Sequence, residues 1–185
     1  MATAIWRAIG LAATAWIATP AMAAPLDDVH EVALDIDQDG RADRAALVRN
    51  KTSGDLDFYI YSGAGDAKLD LSRKPTVFKG SLAASLVLAF EPRGKGSLIV
   101  TTGCGGCSND WSIKLTIAHR GGDYLVAGFT REWETRESSG TCDVNFLTGK
   151  GTLTRNGAKA KPLAGRFAPI KLAEWSSEKY PKACD

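Results

Sequence analysis

Four carboxylates stand in Asp35-Ile36-Asp37-Gln38-Asp39-Gly40-Arg41-Ala42-Asp43 at positions 1, 3, 5 and 9, with glycine at position 6. Hard cations such as Ca²⁺ take roughly six to eight oxygen ligands, and alternate aspartates on a tightly curled backbone aim their side chains at one centre. Gly40 permits the sharp turn, and the peptide carbonyl of Arg41, at position 7, fills a further place. Mg²⁺ suits such a cage less well, because it keeps several waters in a strict octahedron. The competing reading is a plain Asp/Gly turn facing water. Four like charges so close together repel one another, however, and a turn needs only a single Asp-Gly step.

The second set of reactive residues is Cys104, Cys107, Cys142 and Cys184. An even count in an oxidising compartment reads first as two disulfides, for which three connectivities exist. Cys104 with Cys107 and Cys142 with Cys184 is the favoured pairing. Gly105-Gly106 gives the short ring its backbone freedom, and the longer bridge then ties the C-terminal tail to the body, contributing roughly 2 to 4 kcal/mol. Crossed pairings stay open. A Cys-x-x-Cys also serves thiol–disulfide oxidoreductases, where a helix N-terminus lowers the first thiol's pKa. Cys104-Gly105-Gly106-Cys107 is followed by Ser108-Asn109-Asp110 and a strand-like run, so a redox enzyme is the alternative reading. Haem attachment needs histidine where Ser108 stands, and zinc needs a second close cysteine pair.

No catalytic set emerges from the remaining residues. His30 and His119 sit in no metal or nucleophile motif, and His119 reads as a hydrogen-bonded structural residue. Glu132 and Glu134 share a strand face near Glu137, as a glycosidase would need, yet Arg131 and Arg136 interleave with them as on a solvated strand end. Trp133 and Trp175 with Tyr59 and Tyr61 could form a sugar-stacking platform, against the commoner use of strand aromatics in packing.

The elements that must position these residues are strands. Val32, Leu34 and Ile36 alternate before the acidic loop and Ala45-Ala46-Leu47-Val48 follows it, so the loop joins two strands. An EF-hand would need helical flanks and a bidentate glutamate at position 12, which is Ala46. The pattern D-x-D-x-D-G-x-x-D between strands resembles the calcium loop of FG-GAP and VCBS-type repeats. That resemblance implies Asp35, Asp37, Asp39 and Asp43 as side-chain ligands of Ca²⁺. It covers about 20 residues, and with a single copy it implies no β-propeller. The segments Leu115 to Gly122 and Cys142 to Gly151 look like those of exported bacterial proteins carrying the same kind of loop, a likeness that implies no activity.

Further strands are expected at Asp55 to Tyr61, with Leu56, Phe58 and Ile60 on one face, at Leu86 to Phe90 with Leu86, Leu88 and Phe90 alternating, and at Ser97 to Thr102. Trp111 to His119 and Tyr124 to Trp133 form a hairpin turned by Gly121-Gly122, and Cys142 to Leu147 pairs with Gly151 to Arg155. Short helices are expected only at Leu172 to Tyr180 and at Asp66 to Leu71. The fold class is all-β: a single antiparallel sandwich or barrel-like domain.

Residues 1–23 read as a secretory signal peptide, with Arg7, an apolar run from Ala8 to Ala18 and Ala21-Met22-Ala23 in the required order. The run is shorter than the roughly 20 residues that span a bilayer, and no cysteine follows the cleavage site to carry a lipid anchor. Residues 24–185 then form one exported domain, periplasmic or secreted. A formal net charge of +2 gives no reason to expect nucleic acid or an anionic membrane surface as partner. The expectation is a calcium-binding, non-enzymatic protein that engages a protein or glycan partner. A secreted inhibitor of another protein is a further alternative.

Overall fold

A computed structural model describes residues 29–184, so the segment expected to be a signal peptide, residues 1–23, lies outside the described residues. Two antiparallel sheets face each other in a sandwich. The first is a meander of β1 (Val29–Leu34), β2 (Asp43–Arg49), β3 (Leu56–Tyr61) and β4 (Val77–Ala83). The second runs in the order β11-β10-β9-β8-β7-β6-β5, built from β5 (Leu86–Pro92), β6 (Ser97–Cys104), β7 (Asp110–Arg120), β8 (Asp123–Glu134), β9 (Ser139–Asn145), β10 (Lys150–Arg155) and β11 (Lys161–Pro162). A short β12 (Ile170–Lys171) pairs with β8 at Val126 and Leu125, past the end of the β8–β9 ladder.

The period-two pattern decides which faces meet. Leu56, Phe58 and Ile60 of β3 and Ala45 and Leu47 of β2 enter one buried cluster with Leu98 and Val100 of β6 and Ile113, Leu115 and Ile117 of β7. The β7–β8 hairpin closes as expected: Arg120 pairs with Asp123, and Gly121 and Gly122 hold φ of 61° and 85°, the conformation of a tight primed turn.

Strand β5 departs from the expected alternation. A bulge between Val87 and Ala89 inserts one residue, so Val87 and Phe90 face the core while Leu86 and Leu88 are exposed. One extra residue reverses parity, which a pattern of apolar letters does not reveal.

The C-terminal segment packs on the second sheet, with Trp175 and Tyr180 against Phe129 of β8 and Cys184 bonded to Cys142 of β9. Leu172–Glu174 and Ser177–Lys179 form two 3₁₀ turns in place of one helix, because Trp175 and Ser176 adopt extended backbone between them. Trp175 is 1% exposed and packs with Phe129 at 6.2 Å and Tyr180 at 5.6 Å between ring centroids. The second expected helix, Asp66 to Leu71, does not form. Asp70 accepts hydrogen bonds from the Ser72 backbone N–H and hydroxyl, and Leu71 is exposed, so the segment has a local turn and no apolar face to bury.

Candidate metal centre

Strand pairing between β1 and β2 ends at Leu34 with Asp43, which leaves residues 35–42 as the tip of a hairpin. Its curl is held by aspartates bonding to backbone two to five residues on. Asp35 Oδ1 accepts the Asp39 N–H at 3.0 Å and Asp35 Oδ2 accepts the Gly40 N–H at 3.0 Å. Asp37 Oδ1 accepts the Asp39 N–H at 3.2 Å, and Asp39 Oδ1 accepts the Arg41 N–H at 2.8 Å. Gln38 and Gly40 take the positive φ values, 63° and 90°, that this winding requires.

The outcome is convergence. Asp35, Asp37 and Asp39 each offer a carboxylate oxygen, and these oxygens lie within 4.8 Å of one another. Two oxygens bound to one Ca²⁺ at its usual bond lengths are at most about 5 Å apart, so the spacing fits a shared hard cation. Carboxylate oxygens are also the donors such a cation prefers.

Asp43 is placed differently. It is fully buried, its Oδ2 accepting the Ile36 N–H at 3.0 Å and its Oδ1 the Gly63 N–H at 2.8 Å. Burial pushes its carboxyl above the usual range, and the two backbone donors oppose that push. Asp43 therefore braces the loop against the connection between β3 and β4. The same connection meets the loop again where the Gly65 N–H donates to the Ala42 carbonyl at 2.8 Å, an approach so close that a Cβ at Gly65 would overlap Ala42.

Arg41 brings a charge that the motif alone does not disclose. Its guanidinium donates to Asp39 Oδ2 from Nε at 3.2 Å and from Nη2 at 2.9 Å, and this bond, followed by the Arg41 backbone N–H, lowers the Asp39 carboxyl below its ordinary range. The side chain is largely exposed, so the pair is weak and can part.

Sequence reasoning missed the neighbours of the loop. A Cβ at Gly96 would overlap the Gln38 side-chain amide, so the β5–β6 turn touches the loop from the second sheet. The Tyr124 hydroxyl of β8 lies 3.3 Å from the Ser62 hydroxyl. The only available signal was Ser62-Gly63-Ala64-Gly65, legible as a turn but not as a brace.

The cysteines form the two favoured pairs, Cys104 with Cys107 at a Cα separation of 5.8 Å and Cys142 with Cys184 at 5.5 Å. Such pairs persist in oxidising compartments. Cys104 ends strand β6, and no helix begins there to lower a thiol pKa. The sugar platform is not assembled: Trp175 is buried, Trp133 lies beneath Arg131 and Arg155, and Tyr59 and Tyr61 stack on the other sheet. No helix among the described residues is long and apolar enough to cross a membrane.

A scan against protein-family models, a search of curated proteins and a search of solved structures each find no match.

Proposed function

We propose that the protein is an exported calcium-binding protein whose work is binding rather than catalysis. The observation that carries this reading is the convergence of the Asp35, Asp37 and Asp39 carboxylates at the tip of the β1–β2 hairpin. These three side chains would hold Ca²⁺, with the Arg41 carbonyl as a further oxygen. The FG-GAP and VCBS resemblance would add Asp43, each of whose oxygens keeps a lone pair beyond its backbone bond.

The ion would supply charge neutralisation where three aspartates crowd, and through that it would fix the end of the sandwich where the loop meets Gly63, Gly65 and Gly96. Binding to a folded loop raises stability by mass action, by about 2.7 kcal/mol at a free concentration one hundred times the dissociation constant. The partner is a protein or a glycan. Export to the periplasm or the medium is supported by the signal-like N-terminus together with the two cysteine pairs.

Thermal unfolding in Ca²⁺ and in chelator tests the reading. The melting temperature rises with Ca²⁺ for the wild type and stays fixed for Asp37→Ala. A melting temperature indifferent to Ca²⁺ in the wild type contradicts it.

A further inference from the structure

The two cysteine pairs differ in access. Cys142 and Cys184 are buried, at 0% and 2% exposure. Cys104 ends β6 and Cys107 lies within the β6–β7 turn, where residues 105–110 are exposed. The fold does not lean on this bond: β6 and β7 pair without interruption from Ser97 with Ala118 to Cys104 with Trp111. The turn can therefore open while the ladder beneath it holds.

Beside the turn lies a groove of about 510 Å³ with Cys104, Gly105, Leu88 and Trp111 among its lining residues. Three carboxylates, Asp110, Glu132 and Glu134, line it too, and among the described residues no lysine, arginine or histidine does. Ser112 donates to Glu132 at 3.3 Å. Arg136 lines the adjoining cleft together with Glu137, while Arg131 and Arg155 stand over the Trp133 ring at 5.7 and 5.6 Å. The species that attacks a disulfide is a thiolate, an anion, and an anionic wall repels it unless its carrier is a cation.

We propose that Cys104–Cys107 is a thiol-exchange site selective for amine-bearing thiols. The incoming thiolate attacks Cys104 Sγ, on the cysteine that lines the groove. A new S–S bond forms there as the bond to Cys107 breaks, and Cys107, in the exposed turn, leaves as a thiolate that takes a proton from water. A second aminothiol attacks the sulfur of the first and releases Cys104 as a thiol with the small-molecule disulfide. Two aminothiols are oxidised and one protein disulfide is reduced. Because the nucleophile comes from outside, the exchange needs no helix to activate a protein thiol.

The test uses the full chain under anaerobic conditions with cysteamine, 2-mercaptoethanol or 2-mercaptoethanesulfonate at equal thiolate concentration, followed by alkylation and peptide mapping. Cys104 and Cys107 become labelled and Cys142 and Cys184 do not. Cysteamine reacts on the order of tenfold faster than the sulfonate at low salt, and the advantage collapses near about 1 M salt. Glu132→Gln and Asp110→Asn each shrink that advantage with circular dichroism unchanged, and Cys104→Ser with Cys107→Ser removes the fast reaction. Equal rates for the three thiols, or Cys142–Cys184 opening first or together with the exposed pair, would overturn the proposal.

Discussion

The Tyr124 hydroxyl of β8 meets the Ser62 hydroxyl of the β3–β4 connection at 3.3 Å, a contact that joins the two sheets beside the acidic loop. Burial is the main cause that raises the Tyr124 pKa, the Ser62 bond opposes it, and the charges of Asp43, Asp37 and Asp39 raise it further. Tyr124 thus senses the charge of the loop from the opposite sheet.

The first prediction uses that sensing. All four tyrosines have pKa values raised chiefly by burial. A folded pKa above the unfolded value of about 10 contributes stability that is complete below that pH and is lost as pH rises through the folded pKa. Spectrophotometric titration therefore shows ionisation delayed beyond pH about 10 and coupled to alkaline unfolding. Ca²⁺ cancels the aspartate charges and moves one component to lower pH, and Tyr124→Phe deletes that component. A titration identical with and without Ca²⁺ contradicts the prediction.

Asp43 and Asp37 separate under mutation. Asparagine at position 43 keeps one acceptor but turns an amide donor toward either the Ile36 or the Gly63 N–H, leaving a buried clash of donors. Asp43→Asn lowers stability in chelator by about 1 to 3 kcal/mol, measured by denaturant unfolding. Asp37→Ala relieves repulsion and leaves the same measurement near wild type. Equal losses in the two variants would deny Asp43 its bracing role.

The acid limb of stability has named contributors. Asp39, held low by Arg41, and Asp70, held low by the Ser72 hydroxyl, give stability that is present above the ordinary carboxylate range and lost as pH falls through their folded pKa values. Asp43 has the opposite sign: burial raises it, so its contribution is present at low pH and lost as pH rises. Arg41→Gln therefore makes the protein less resistant to acid in chelator, while in Ca²⁺ it tightens binding by roughly two- to tenfold because a competing cation has left Asp39. Weaker Ca²⁺ binding in Arg41→Gln would contradict the competition.

Trp175 anchors the C-terminal cover of the second sheet against Phe129, Phe146 and Tyr180. Trp175→Ala removes a buried indole and costs about 3 to 5 kcal/mol, read from chemical denaturation, with little change in Ca²⁺ affinity. A cost below about 1 kcal/mol would mean that the cover contributes little to the core.

The fold class was legible because the alternate residues Leu56, Phe58 and Ile60 of β3 and Ile113, Leu115 and Ile117 of β7 enter the core, and Gly121-Gly122 has one economical turn. Two features defeated the pattern for local reasons. The β5 bulge reverses parity between Val87 and Phe90 without changing composition, and the backbone bonds of Asp70 and Ser72 compete with helix at Asp66 to Leu71. At the acidic loop, the spacing was read as four carboxylates around one centre, and the oxygens that lie within 4.8 Å of one another are those of Asp35, Asp37 and Asp39. The spacing did not foretell that Asp43 turns to the Ile36 and Gly63 N–H groups, because those bonds depend on how β3 returns across the hairpin.

Isothermal calorimetry of Ca²⁺ into chelator-stripped protein tests the central claim most directly. A saturable heat at one ion per chain, lost in Asp37→Ala and in Asp39→Ala and retained in Cys104→Ser with Cys107→Ser, is the predicted result. Heats of dilution alone for the wild type, or a binding isotherm that survives both aspartate substitutions, would contradict the account.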